Sequence, residues 1–218
     1  MKKAEIAKRY ILFIISLFIS GLGVAFTKTG ELGVSPISSV ANVLSLRFTD
    51  ISIGNWLIIT NCIMVLGQIL ILRKNFKPIQ LLQIPLSFLF GYFTDIGMLI
   101  AALIPVDSYI MRLIMVVAGV IILGFGISLA VIANVIMNSG EAFVKAIADT
   151  LHKNVGNVKI IFDISYVALS VVLSLILFNG SIVGTREGTL IAALGTGFVV
   201  KFFTHLLSSP INKILVQQ

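Results

Sequence analysis

Six apolar runs dominate the chain and set its class. They fall at roughly 10–27, 54–72, 81–104, 109–134, 156–178 and 188–207. Each approaches the roughly 20 residues that a helix needs to cross a hydrocarbon core about 30 Å thick. Stretches such as YILFIISLFISGLGVAF and ISYVALSVVLSLILF are apolar on every side. A membrane barrel strand would instead alternate apolar and polar residues over shorter segments. Only a helix satisfies its own backbone hydrogen bonds in lipid, so the sequence predicts an all-α membrane protein with six transmembrane helices. Composition agrees: 58% of the 218 residues are hydrophobic and 11% charged, too apolar for a water-facing surface.

The charges then set the orientation. Lys2, Lys3, Lys8 and Arg9 precede the first run, and Arg73, Lys74 and Lys77 follow the second. Lys145, Lys153 and Lys159 lie between the fourth and fifth runs, and Lys201 and Lys213 come late in the chain. If six spans alternate, all of these share one side, while Lys28, Arg47, Arg112 and Arg186 fall on the other. The positive-inside rule places both termini in the cytoplasm. The net charge of +7 then needs no nucleic acid, only anionic lipid headgroups. The opening MKKAEIAKRYILFIISLFISG has the basic flank of a signal peptide, but its apolar run is long and no small-x-small cleavage site ends it, so it reads as a retained first span. The lone Cys62 excludes an internal disulfide and a cysteine metal cluster.

The chain also repeats itself. GLGVAF at 21–26 returns as GFGISL at 124–129, and IGNWLIITN at 53–61 as VGNVKIIFD at 155–163, setting Asn61 opposite Asp163. A weaker correspondence sets SFLFGYFTD at 87–95 against ALGTGFVVK at 193–201. Each copy reads span, polar segment, span, span. Between a cytoplasmic N-terminus at 1–9 and a cytoplasmic tail at 211–218, the copies occupy 10–105 and 109–210. Three spans is an odd number, so the second copy enters the membrane from the opposite side: a 3+3 inverted repeat, the architecture of many secondary transporters.

The polar segments are GVSPISSVANVLSLRF at 33–48 and NSGEAFVKAIADTLHK at 138–153. Their alignment sets Ser38 opposite Glu141 and Asn42 opposite Lys145. Both open with helix-start signals. Ser35 precedes a first-turn Pro36, and Asn138 and Ser139 precede Glu141, whose charge the helix dipole favours. Each predicts a helix of about three turns, too short and polar to span. Such helices either lie flat at the interface or dip inward and meet near the midplane, where irregular backbone is tolerated only inside protein or beside a watery cavity.

Glu141, Lys145 and Asp149 recur every four residues and form one stripe with two favourable pairs. A stripe of that kind either faces water or begins, at Glu141 and Lys145, to line a solute route. Lys159 and Asp163 are also four apart, near the start of the fifth span. An acid inside a membrane points to function by default, although the lysine could neutralise it as a structural pair. Asp95 in the third span is a further candidate. Lys201, at the related place in the sixth, is explained by snorkelling. Arg186 and Glu187 at the entrance of the sixth span read equally as interfacial anchor or gate. His152 and His205 are too separated to suggest a metal. No phosphate loop, nucleophile elbow or zinc motif occurs, so neither enzyme chemistry nor a cofactor is expected.

LGVSPISSV, GNWLIITNCIMVLGQILILRKNF, LLQIPLSFLFGYFTD, GEAFVKAI, GNVKIIFD and GTREGT together resemble the bacterial YczE membrane proteins of the YczE/YyaS/YitT group. The resemblance implies a bacterial inner-membrane protein and supplies no substrate. Carried over by motif position, it marks Ser35, Pro36, Glu141, Lys145, Lys159, Asp163, Arg186 and Glu187. The expected function is a small secondary transporter or channel-like carrier of an anionic or zwitterionic solute, with Glu141 or Asp163 carrying a coupled proton. Its rival is a non-transporting scaffold or accessory subunit of a larger membrane complex. Expected partners are membrane lipids, the solute or ion itself, and a second copy of the chain or an unidentified membrane protein.

Overall fold

The computed structural model describes residues 3–216. Lys2, counted among the cytoplasmic cations, and the last two residues of the tail lie outside the described residues. Every described element is helical: α1 (Lys3–Thr29), α2 (Ser39–Arg47, led in by a tight 3-10 turn at Pro36–Ser38), α3 (Ile53–Leu72), α4 (Gln83–Ala101), α5 (Tyr109–Ala133), α6 (Ser139–Leu151), α7 (Val155–Leu177) and α8 (Glu187–Val216). Six of them, α1, α3, α4, α5, α7 and α8, are long and apolar enough to cross a membrane. An even number of crossings puts both ends of the chain on one face.

Helix ends follow local chemistry. Ser52 caps α3 by accepting from the Asn55 amide at 3.1 Å, and Asn154 caps α7 by accepting from the Gly156 amide at 2.9 Å. Asn134 and His152 end α5 and α6 in the left-handed conformation, which Asn tolerates better than most residues. On the face of the termini, the Arg9 guanidinium donates to the last carbonyls of α5, Ile132 at 3.3 Å and Ala133 at 3.2 Å, and pairs with Glu5 at 3.0 Å. It thereby satisfies orphan acceptors at a helix end.

α1 and α5 form the central pair. Small residues bring them together: a Cβ on Gly23 would strike the backbone of Leu123, and one on Gly126 would strike Ser20. Association in lipid depends on such close approach rather than on hydrophobicity. The outer pairs are α1 with α4 and α5 with α8, while α2 packs on α3 and α7, and α6 on α7 and α3.

One pairing has no partner of its kind. α3 and α4 pack tightly, with Gly54 and Gly91 too close to admit a Cβ on either. α7 and α8 have no such seam, and nothing lies within 4 Å of where a Cβ on Gly197 of α8 would sit. The bundle is therefore closed on the α3–α4 side and parted on the α7–α8 side.

Candidate functional site

The two short helices point their N-terminal ends at each other inside the bundle. Val34, Ser35, Pro36, Ser38 and Ser39 ahead of and within α2 are buried, as are Ser139 and Gly140 at the start of α6. The Ile37 side chain meets the backbone of Gly140. Neither N-cap residue closes its own helix: Ser35 and Asn138 make no capping hydrogen bond, and the Ser35 hydroxyl donates instead to that of Ser38 at 3.0 Å. The tip of α6 is held from outside. Gln68 of α3 and Gln83 of α4, both buried, exchange amide hydrogen bonds at 2.9 and 3.1 Å, and Gln68 also donates to the Ser139 carbonyl at 3.1 Å. The hydroxyls of Ser87 and Ser139 lie 3.1 Å apart. Buried amides are costly unless paired, so this network fixes where the tip sits.

A cavity of about 740 Å³ lies against these tips, within the usual range for small-molecule sites. Ser35, Pro36, Ser38, Asn138, Glu141, Asn61, Lys159 and Asp163 line it, joined by Phe13, Leu17, Leu86, Phe90, Leu123 and Ile127 as apolar wall. Away from the face of the termini its lining stops at Val24 and Ala192. There Leu32, Val116, Val120 and Ala192 form a buried plug, and the Gly188 amide donates to the Leu32 carbonyl at 2.7 Å, binding the start of α8 to the end of the α1 segment. Toward the face of the termini the lining continues through Lys201, Thr204, His205 and Ser208 of α8. Lys201 and His205 are exposed. The chamber is thus plugged at one end and open at the other.

Lys159 reaches Asp163 at 3.1 Å, a pair whose acid is only about a quarter exposed. Glu141 lies within electrostatic reach of both. The site therefore gathers two acids around one lysine, with the half-buried Asn61 on α3.

Several expected residues stand elsewhere. The stripe on α6 is divided: Lys145 pairs with Asp149 at 3.6 Å, both about half exposed, while Glu141 turns into the cavity. Only one of the two pairs expected along the stripe forms, because the helix runs from a deep tip to a wet base. Asn42 is buried but donates to the Gly184 carbonyl at 2.8 Å, tying α2 to the loop before α8. Asp95 accepts from the Ser52 hydroxyl at 2.6 Å and the Gly54 amide at 2.9 Å. It caps α3 from α4 and does not line the cavity. Arg186 and Glu187 pair with each other at 3.2 Å in the loop and first turn of α8, away from the lining.

Sequence reasoning missed the glutamine pair, Ser87 and the Lys201–His205 face. The four-residue spacing of Lys201 and His205 was the available signal. Among the described residues no group of three or more His, Cys, Asp or Glu side chains could hold a metal. Neither a curated protein nor a solved structure matches the chain. A family model does match, over residues 7–205 and so nearly the whole chain, and the protein accordingly belongs to the family of unknown function DUF6198.

Proposed function

We propose that the protein is a small secondary transporter of an anionic or zwitterionic solute, built as a 3+3 inverted repeat in a bacterial inner membrane with cytoplasmic termini. The observation that carries this reading is the cavity in which the N-terminal ends of α2 and α6 meet beside Glu141, Lys159 and Asp163. Inverted-repeat transporters bind solute in that setting, with half-helix N-termini facing the ligand.

The contacts support the repeat by occurring in pairs. Gly23 against Leu123 is answered by Gly126 against Ser20, and Gly21 against Thr94 by Gly124 against Val199 and Thr196. On this reading α2 and α6 are re-entrant half-helices, and the motifs resembling the YczE group surround their tips. The plugged outer end and open inner end correspond to one state of an alternating-access cycle.

Glu141 and Asp163 compete for Lys159 and would release or accept the coupled proton as solute arrives. The test is flux of small anions and amino acids into proteoliposomes, for wild type, Glu141→Gln and Asp163→Asn. At least a tenfold loss in both variants is expected for the transported solute. Unchanged fluxes and unchanged ligand-induced thermal shifts, with a membrane partner still captured, would make the scaffold reading the better one.

A further inference from the structure

The parted seam between α7 and α8 bears on what the solute is. Where α3 and α4 close one side of the bundle, α7 and α8 leave the corresponding side open. Of the six spanning helices they are also the two whose apolar windows bury the least surface. Gly197 and Ala193 of α8 are exposed and line the cavity, and Lys159 and Asp163 line it from α7. In a bilayer, an opening between two spanning helices faces acyl chains as well as water. The cavity behind it is largely apolar, walled by Phe13, Leu17, Phe90 and Ile127.

Its charge is not spread evenly. Lys201 and His205 lie one turn apart on α8 at the open end of the lining. Lys201 is in none of the ion pairs among the described residues, whereas Lys159 is committed to Asp163. An apolar chamber with an uncommitted cation at its mouth, reached through a gap that faces lipid, matches a molecule with an alkyl chain and an anionic head.

We infer that the solute is a single-chain anionic amphiphile that enters laterally between α7 and α8, its head held by Lys201 and His205 and its chain lying along the apolar wall. This deepens the carrier reading and rests on it. The amphiphile comes from the leaflet on the side of the termini, toward which the Lys201–His205 stretch of the lining runs along α8. A soluble anion of the same head chemistry lacks the part that fills the chamber. Each methylene buried from water strengthens binding roughly fourfold, so chain length is the discriminating variable.

The experiment uses the full chain in phosphatidylcholine nanodiscs, with empty nanodiscs subtracted, and measures saturable binding of labelled dodecanoate and of butyrate. Dodecanoate is expected to bind and butyrate not. Lys201→Gln with His205→Gln is expected to weaken dodecanoate at least tenfold. Gly197→Trp, placed where nothing stands within 4 Å, is expected to do the same by filling the seam without disturbing the fold. Equal binding of butyrate, no saturable binding of dodecanoate, or full binding in Gly197→Trp would each overturn the inference. Soluble-anion flux that still depends on Glu141 would then leave the carrier reading standing without it. Absence of that flux as well would remove both.

Discussion

Ile37 and Gly140 meet at the point where the two short helices end, and the contact leaves no room for a Cβ on the glycine. The atom in the way is the terminal methyl of Ile37, with its Cγ1 2.9 Å and the Met64 sulfur 3.4 Å from the same point. Gly140→Ala should therefore lower stability by about 1–3 kcal/mol, the usual cost of overpacking a filled site. Ile37→Val removes the obstructing methyl, so the double variant should recover part of that loss. A thermal-unfolding double-mutant cycle in nanodiscs reads the coupling. Additive effects would mean that the two tips are not in contact.

The reciprocal bonds of Gln68 and Gln83 make the second prediction. Each side chain is nearly inaccessible, at 0% and 3% exposed. Removing one partner strands the other, at about 1–3 kcal/mol, while removing both leaves fewer unpaired groups. Gln68→Leu should thus destabilise more than Gln68→Leu with Gln83→Leu. Because Gln68 also holds the Ser139 carbonyl, amide hydrogen exchange at residues 139–143 should rise in the single variant. Exchange that stays at the wild-type rate would mean that the tip is fixed by packing alone.

What could be read from the chain differs between spans and side chains. The spans are legible because membrane thickness converts directly into apolar length, and four of the six predicted runs match their helices to within about three residues at both ends. The first and last runs understate their helices. α1 starts at Lys3 and α8 continues through Pro210 to Val216, where polar residues and a proline mask helical continuation from hydropathy. The short helices were legible from Ser35-Pro36 and Asn138-Ser139-Gly140-Glu141. Depth was not: periodicity puts Glu141 and Lys145 on one stripe, but only the tertiary setting leaves the first in the cavity and the second in solvent. Asp95 meets Ser52 and Gly54, some forty positions away, and no local pattern in the sequence reveals that contact. Lys201 reads as snorkelling from the sequence alone, because its four-residue spacing from His205 defines a shared face without telling that this face borders a parted seam.

Asp95 yields the third prediction. Its carboxylate takes one bond from a hydroxyl and one from a backbone amide at the start of α3, where the helix dipole adds to the attraction. Asp95→Ala should cost about 1.5–3 kcal/mol, the range for hydrogen bonds to a charged group. Asp95→Asn, which keeps a carbonyl oxygen for one donor, should cost less. Solute binding by the folded fraction should be unchanged in both. Loss of binding at full stability would return Asp95 to the solute path.

The final prediction concerns the plug. Leu32, Val116, Val120 and Ala192 close the end away from the termini, and Thr189, only 2% exposed, follows Gly188, whose amide bonds the Leu32 carbonyl. Ser208 lines the mouth at the opposite end. With Cys62→Ser as background, which removes the lone native thiol, Ser208→Cys should react readily with a membrane-impermeant thiol reagent applied from the face of the termini. Thr189→Cys should resist the same reagent from either face in the resting protein. If the molecule alternates, Thr189→Cys should gain reactivity from the far face when solute is supplied, as Ser208→Cys loses it. Labelling of both positions from one face at equal rates would describe a continuous pore, and a rigid pattern that no solute alters would describe a scaffold.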